Sequence, residues 1–429
     1  MFSRADFLVA SLAIVPALAT GSSVNVYFGQ NGQADIGDVC ADPSFEYITL
    51  GFIDVSPENG GLSGLPGSNF AGHCWAGDYD NNGYASGLLN DCPYLTPGIE
   101  VCQSQYGKKV LLSIGGVFTE TSNYSISSYE NGVEFANFIW GAFGPYDESW
   151  GEQPRPFDYN GVHVAVDGYD FDIESDDAGD EGYLGMIKTL RSLIEASGRD
   201  DIITGAPQCP LGDEYQHMQY LLKNVQFDRL WIQFYNNPQC EILNLDGTIN
   251  SGFNYMDWEA FLATTPSANA KLHVGLPGSA IASNTGYVDA AIAASMLCSS
   301  QSSGSMFGGL MLWDQTFAAA NVDAAGISYN EALYESMRCN CGECPVPTTT
   351  SSIVYSTSIE TSTPVSSPFE TSTSATSTCR HFTDDQRHGI QRSSVNKAVL
   401  MEQHYLDVSR KPYLHHRCDV QQLAYIFIG

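Results

Sequence analysis

The chain has 429 residues, enough for one large barrel of about 250 to 300 residues with appendages, or for two or three ordinary domains. Its 49 Asp and Glu outnumber its 18 Lys and Arg, and the formal net charge is −31 at pH 7. Because phosphate binding needs clustered Lys and Arg, this charge argues against a nucleic acid partner and favours solubility in an acidic medium.

The first 20 residues have the pattern of a secretory signal peptide. Arg4 precedes a short apolar run from Phe7 to Val15, and small residues follow at Ala17 and Ala19. A buried first helix or strand is the alternative. We expect cleavage after Ala19 and a secreted protein that acts outside the cell or in the cell wall. No later segment has the roughly 18 apolar residues of a membrane span, so we expect none.

Eight short apolar runs with the composition of β-strands follow, and their first residues lie 23 to 62 positions apart. Several are apolar on both faces, as in parallel strands covered by helices. Between them, residues 182–198 have apolar positions at helical spacing and end in Gly198, which is typical of a crossover helix. We therefore predict an α/β fold, a (β/α)8 TIM barrel. The runs are residues 24–28, 47–52, 109–116, 168–174, 202–207, 230–235, 272–277 and 308–313.

The fourth run contains most of the sequence DGYDFDIE, residues 167–174. Alternate side chains of a strand share a face, so Asp170, Asp172 and Glu174 point one way and the residues between them point the other. In a barrel this acidic face is the interior, and Glu174 lies at the carboxyl end, where barrel enzymes build active sites. Crowded carboxyls cannot all ionise at low cost. At least one should keep its proton and supply the acid that glycosidic cleavage needs.

A solvated edge strand and a calcium loop are the alternatives for this segment. The edge strand fits poorly, because the apolar sequence VHVAV precedes the segment and aromatic residues lie between its acids. An EF-hand loop would need a glycine after the third acidic position, where Ile173 and Glu174 stand instead. We expect no metal and no other cofactor.

The segment DGYDFDIE resembles the DxxDxDxE signature of glycoside hydrolase family 18, the chitinases. Other matches resemble the plant-type, hevamine-like class III branch in the same order, and together they cover about residues 24–340. They are VYFGQNG at 26–32, SIGG at 113–116, APQCP at 206–210, QFYNN at 233–237 and MLWD at 311–314. The resemblance implies a secreted endochitinase that cuts β-1,4 bonds between N-acetylglucosamine residues. We expect chitin or its oligosaccharides as the partner and a monomeric protein.

The resemblance also implies roles for individual residues. Glu174 protonates the glycosidic oxygen while the substrate's own N-acetyl carbonyl attacks the anomeric carbon, so no enzyme carboxylate acts as nucleophile. Asp172 orients the acetamido group, Asp170 shares a proton or hydrogen bond with Asp172, and Tyr235 holds the acetamido oxygen. Other matched positions line the sugar site, and packing in the core is the alternative for several of them. Trp313 forms the floor of this site. The remaining positions are Gln233, Asn236, Tyr27, Gln30, Gly115 and Gly116.

Two further functions remain open on the same barrel. An endo-β-N-acetylglucosaminidase acting on N-glycans would use the same catalytic residues. A catalytically inactive chitin-binding lectin, or an inhibitor of other hydrolases, commonly lacks the acid or its neighbours, which are all present here. In relatives that cut from chain ends, an extra α+β insertion forms a wall of a deep cleft. The segment 278–307 is too short for that insertion. We therefore predict an open groove and cuts within the chitin chain.

Twelve cysteines in a chain with a signal peptide indicate disulfides. By resemblance we expect Cys209 to pair with Cys240, and we also expect the pairs Cys40–Cys102 and Cys74–Cys92. We assign no pairing to Cys298, Cys339, Cys341 and Cys344. Asn123-Tyr124-Ser125 is a sequon that predicts N-glycosylation.

The composition changes after Cys344. Residues 345–378 are dominated by Ser, Thr and Pro, which predicts a linker or stalk suited to O-glycosylation. Residues 379–429 hold seven of the 18 basic residues, and we expect a disordered tail or a mistaken reading frame. A small module held by Cys379 and Cys418 is the alternative. The predicted segments are a signal peptide (1–19), a catalytic domain (20–344), the linker and the tail.

Overall fold

The computed structural model describes residues 22–74, 77–212 and 216–338, without the side chains of residues 301–303. The predicted signal peptide, linker and tail lie outside the described residues. So do three of the four cysteines without an assigned pairing.

Eight parallel strands close into a barrel, which confirms the predicted fold. Each predicted run forms one strand, within two residues at either end. They are β1 (Ser23–Phe28), β2 (Tyr47–Ile53), β5 (Lys109–Gly116), β6 (Gly168–Ile173), β7 (Ile202–Gly205), β8 (Arg229–Gln233), β9 (Lys271–Pro277) and β10 (Phe307–Trp313). Around the barrel the order is β1, β10, β9, β8, β7, β6, β5 and β2. All carboxyl ends therefore meet at one face.

Helices connect the strands, as parallel pairing requires. The predicted helix at 182–198 is α4, and it ends at Gly198, whose φ of 69° is the left-handed conformation that glycine adopts freely. The described helices are α1 (Ile36–Cys40), α2 (Gly98–Ser104), α3 (Tyr129–Phe143), α4 (Asp180–Ser197), α5 (Gln219–Asn224), α6 (Tyr255–Leu262), α7 (Ala290–Ser303), α8 (Gln315–Ala320) and α9 (Tyr329–Arg338).

Helices α3 and α4 pack closely beside the acidic strand. A Cβ atom on Gly132 would lie 1.9 Å from the carbonyl oxygen of Gly182, so only glycine permits this approach. The contact lets α3 bury Phe135, Ile139 and Phe143, each 1% exposed or less. Burying side chains of this size stabilises the fold by roughly 1.5–3 kcal/mol each. The two helices therefore form one closely packed pair on the outside of the barrel.

A hairpin interrupts the long connection from β2 to α2. Strands β3 (Asp78–Asn81) and β4 (Tyr84–Leu89) pair antiparallel, and they are not among the eight predicted runs. The turn residues Asn82 and Gly83 have φ values of 53° and 81°, the paired positive values of a type I′ turn. The disulfide Cys74–Cys92 closes the base of this excursion.

The disulfide predictions are confirmed where the structure describes both cysteines. Cys40 bonds to Cys102, Cys74 to Cys92 and Cys209 to Cys240. Cys298 is disulfide-bonded as well. Between β9 and β10 the chain forms α7 and no strand, so the predicted absence of an α+β insertion is also confirmed. No helix among the described residues is long and apolar enough to cross a membrane.

Candidate active site

The predicted acidic row lies inside the barrel at its carboxyl end. On β6, Asp170 is 0% exposed and Asp172 is 4% exposed, while Glu174, just after the strand, is half-buried. The three side chains therefore run from the closed interior to the open face. Glu174 is the member of the row that a molecule in the cleft can reach.

Three neutral hydroxyls surround the deepest acid. Tyr27 Oη and Ser113 Oγ donate to Asp170 Oδ2 at 2.6 and 2.7 Å, and Thr204 Oγ1 donates to Oδ1 at 2.6 Å. Burial raises the pKa of Asp170, and these donors oppose the shift because they stabilise the charged form. Tyr27, predicted to line the sugar site, is 2% exposed, so in this structure it supports Asp170.

Gln233 bridges the other two acids. Its Nε2 lies 2.9 Å from Asp172 Oδ1 and 3.1 Å from Glu174 Oε1. Burial, followed by the charges of Glu174 and Asp170, raises the pKa of Asp172 well above its ordinary value. Burial also raises the pKa of Glu174, against the opposing effects of Gln233 and the charge of His217. The pair therefore retains a proton above the ordinary range of carboxyl titration, as the crowding predicts.

Aromatic rings border the acids on the side of β1, β2 and β10. The ring centroid of Trp313 lies 5.6 Å from that of Tyr27 and 6.1 Å from that of Phe52, and the Phe52 and Trp313 rings are stacked. Trp313 is half-buried and faces the open end, as expected of a floor. The peptide bonds Gly51–Phe52 and Trp313–Asp314 are cis.

Tyr235 follows β8 and is 6% exposed. Burial raises the pKa of its hydroxyl well above the ordinary value, and the charges of Asp172 and Glu174 add to the shift. The Tyr235 hydroxyl therefore keeps its proton beside the acids and can donate a hydrogen bond. Gly286, with φ of 91°, packs behind it; a Cβ there would lie 2.5 Å from Tyr235 Cα.

Asn236, predicted to line the sugar site, joins two loops of the carboxyl end in this structure. Its side-chain oxygen accepts hydrogen bonds from the backbone N–H groups of Asn284, at 2.8 Å, and Thr285, at 3.4 Å. The side chain thus joins the loop after β8 to the loop after β9. In this structure that oxygen is already occupied by the backbone.

Gln30 and the glycine pair also serve the protein's own backbone. Gln30 Nε2 donates to the carbonyl oxygens of Gly51, at 2.9 Å, and Asn69, at 2.7 Å. A Cβ on Gly115 would lie 2.0 Å from the carbonyl oxygen of Asp172, and one on Gly116 would lie 3.1 Å from the Phe52 ring. Both glycines have positive φ. They allow β5 to approach β6 and Phe52, and their expected role in close approach of a ligand stays a prediction.

Three residues near the acids are absent from the predicted set. Nothing in the sequence marks Phe52 as a site residue except its position at the end of a predicted strand. His217 Nδ1 lies 2.8 Å from Asp176 Oδ1, and this pair links the loops after β7 and β6. Tyr124 appears in the sequence only as the middle of a glycosylation sequon, yet its hydroxyl contacts the backbone of Glu174 at 3.1 Å.

The face that holds the acids has an unusual charge distribution. The eight segments that connect a barrel strand to the next helix contain no Lys and no Arg in their sequence. No Lys or Arg from these segments can therefore neutralise the carboxyls. Among the described residues, no group of three or more His, Cys, Asp or Glu has the arrangement of a metal site.

The sequence is similar to fungal proteins over most of its length. A model of the family Glycosyl hydrolases family 18 matches residues 23–415. Endochitinase A of Emericella nidulans is 38% identical over 347 residues, which cover 80% of this chain and 35% of that protein. Endochitinase A1 of Aspergillus fumigatus is 36% identical over 377 residues, covering 85% of this chain and 43% of that protein. The chain thus spans well under half the length of these relatives.

Solved structures share the fold. The ICChI chitinase from Ipomoea carnea has 25% identity and a TM-score of 0.57, and the match covers 74% of this chain and 100% of that one. The xylanase and alpha-amylase inhibitor protein XAIP-II from Scadoxus multiflorus has 25% identity and a TM-score of 0.53, covering 75% and 97%. An enzyme and an inhibitor are therefore both built on this barrel.

Proposed function

Because this chain belongs to glycosyl hydrolase family 18, we propose that it is an endochitinase that hydrolyses β-1,4 bonds between N-acetylglucosamine residues of chitin by substrate-assisted catalysis with retention. The observation that carries the proposal is the row of Asp170, Asp172 and Glu174 inside the barrel, with the Tyr235 hydroxyl kept protonated beside it.

Glu174 acts as the general acid. It is half-buried at the open end, and its raised pKa keeps a proton available where an ordinary carboxyl has lost it. That proton moves to the glycosidic oxygen as the bond from this oxygen to the anomeric carbon breaks. The N-acetyl carbonyl oxygen of the same sugar forms the new bond to that carbon, giving an oxazolinium ion. Water then opens the ion and returns a proton to Glu174.

Asp172 supports the positive charge that develops on the acetamido group. Its carboxyl accepts the acetamido N–H, and Gln233, which contacts both Asp172 and Glu174, fixes their separation. A charge placed where opposite charge develops stabilises the transition state by several kcal/mol, on the order of 3 kcal/mol. Asp170, held by three hydroxyls, adds to the raised pKa of Asp172, so the pair of Asp172 and Glu174 keeps one proton. In the reactive state this proton is on Glu174 and the charge is on Asp172.

Tyr235 and Trp313 position the sugar whose bond is cut. The Tyr235 hydroxyl donates to the acetamido oxygen and aims it at the anomeric carbon. Trp313 presents an apolar ring to the apolar face of the pyranose, backed by Tyr27 and Phe52. Aromatic platforms of this kind hold a sugar without competing for its hydroxyls.

The fold alone does not separate an enzyme from an inhibitor, since solved relatives of both kinds share it. The presence of Asp170, Asp172, Glu174 and Tyr235 in one cleft favours the enzyme. The signal-peptide pattern and the disulfides favour secretion to the cell wall or the medium.

The test is hydrolysis of an N-acetylglucosamine pentamer by the full chain, with the anomers of the products followed in time. We expect short oligomers released as β-anomers, and Glu174→Gln should lower kcat by about 1,000-fold. Binding of an intact pentamer without hydrolysis would favour a lectin or inhibitor. Release of N-glycans from a glycoprotein, with the pentamer left intact, would favour an endo-β-N-acetylglucosaminidase.

A further inference from the structure

Strands β5 and β6 separate just where the general acid leaves the barrel. Their pairing ends at Gly116 and Ile173, and the first residue after β6 is Glu174. Gly116 has φ of 90°, so the chain turns away from β6 at this point. The carbonyl of Gly116 and the N–H of Glu174 therefore lose the partners that a continued ladder would give them. Buried backbone groups need such partners.

A tyrosine hydroxyl fills the gap between the two strands. Tyr124 Oη donates to the carbonyl oxygen of Gly116 at 2.7 Å and accepts from the N–H of Glu174 at 3.1 Å. One hydroxyl thus takes the place of a strand hydrogen bond. Tyr124 is 0% exposed, and burial raises the pKa of its hydroxyl, so it keeps the proton that it donates.

Tyr124 is itself fixed from two sides. Tyr183 Oη, on α4, donates to the carbonyl oxygen of Tyr124 at 2.9 Å. The ring of Phe118 packs edge-on against the Tyr124 ring, with centroids 5.0 Å apart. Tyr124 and Phe118 both lie in the loop after β5, and the hydrogen bond from α4 ties this loop to the packed helix layer, which sets the hydroxyl position.

We propose that Tyr124 is a positioning residue that sets the direction in which Glu174 leaves β6. This rests on the proposed role of Glu174 as general acid. The Glu174 carboxyl accepts a hydrogen bond from Gln233 at 3.1 Å and interacts with Asp172, and the backbone anchor fixes the point from which the side chain extends to them. Proton transfer depends steeply on such placement, because displacements of about 1 Å cost large factors in rate.

The test compares two substrates that differ in their need for an acid. A chitin pentamer has a sugar leaving group that must be protonated, whereas a dinitrophenyl glycoside of chitobiose has a leaving group stable as an anion. For Tyr124→Phe we expect kcat on the pentamer to fall about tenfold with KM nearly unchanged, and kcat on the dinitrophenyl glycoside to change less than about twofold. The substitution leaves the sequon around Asn123 intact.

Tyr329→Phe is the matched control. It removes a buried hydroxyl that donates to the carbonyl oxygen of Val288 at 2.9 Å, away from the contacts of Tyr124 and Glu174, so it should cost similar stability and leave the ratio of the two rates at the wild-type value. Equal loss on both substrates for Tyr124→Phe, or the same selective loss for Tyr329→Phe, overturns the positioning role. Glu174→Gln calibrates the assay: a wild-type-like ratio for that variant refutes the general acid and the inference with it.

Discussion

The two ends of the barrel treat buried carboxylates in opposite ways. At the amino end, Asp201 is 4% exposed and pairs with Arg199 at 2.7 Å. At the carboxyl end, Asp172 is equally buried, but its neighbours are Asp170, Glu174 and an uncharged amide.

The same contrast extends over both faces. Arg191 pairs with Asp228 at 2.9 Å and Lys109 with Asp200 at 3.0 Å, and all four residues lie at or near the amino end. The loops at the carboxyl end contain no Lys or Arg. Pairing stabilises the fold, while the absence of pairing lets desolvation raise pKa values and keep a proton for chemistry. The Lys and Arg side chains of these pairs therefore stabilise the amino end. At the carboxyl end, a Lys or Arg would lower the pKa values of the acids, and the loops there contain none.

The largest effect should come from neutralising the unpaired acid at the carboxyl end. Asp172→Asn keeps the shape and the hydrogen bond from Gln233 but removes the charge that supports the acetamido group. We expect kcat on the pentamer to fall about 100-fold, with Tm within about 2 °C of the wild type. Steady-state kinetics and a thermal melt on one preparation measure both. A large loss of Tm would mean that Asp172 mainly stabilises the fold, as Asp201 does at the amino end.

The complementary change at the amino end should affect stability alone. Asp201→Asn leaves Arg199 without its carboxylate, and we expect unfolding to become easier by about 2 kcal/mol, less than for a fully buried pair because the Arg199 side chain is 31% exposed. In a domain of this size that lowers Tm by about 5 °C. Kinetics at 25 °C should match the wild type. Loss of kcat without loss of Tm would mean that Asp201 serves catalysis, and it would contradict the proposed difference between the two ends.

The smallest effect concerns Asp54, which follows β2 at the carboxyl end. Burial raises its pKa to about 6, against a hydrogen bond from Ser122 at 3.1 Å. The folded state thus binds a proton that the unfolded state releases near pH 4, so this group contributes stability at low pH that is lost as pH rises from about 4 to 6. We expect a loss on the order of 1 kcal/mol across that window, since Asp54 is partly exposed.

Urea unfolding of wild type and Asp54→Asn at several pH values isolates this contribution. The free energy of unfolding of the wild type minus that of Asp54→Asn should fall as pH rises from about 4 to 6. Above pH 6 this difference should stay level. A difference that rises with pH would mean that a cation reaches Asp54, contrary to the charge distribution of that face.

The sequence predicts the strands and the acidic row well because both follow from local patterns. Apolar runs fix the strands, and alternation along β6 places Asp170 and Asp172 on one face. The hairpin β3–β4 has a local signal too, since Asn82-Gly83 is the preferred pair for a type I′ turn. That signal stands between short acidic segments, without the apolar alternation that identifies strands.

The support of the acids is harder to predict because it depends on contacts between distant segments. Tyr124 reaches Glu174 across 50 positions, and Thr204 reaches Asp170 across 34. For Asn236 and Gln30 the motif implies contact with sugar, which stays a prediction, while their side chains in this structure hold backbone groups. A motif identifies the residue type a site needs, and only the folded chain shows what each side chain touches.

The charge distribution of the carboxyl-end loops has a practical consequence. The described lysines lie before or at the start of strands, or on helices; they are Lys108, Lys109, Lys188, Lys223 and Lys271. A solid support that couples through these amines would hold the barrel by its amino end or its flank. In a molecule held through one of these five amines, the cleft would face the surrounding liquid without an engineered tag to orient it.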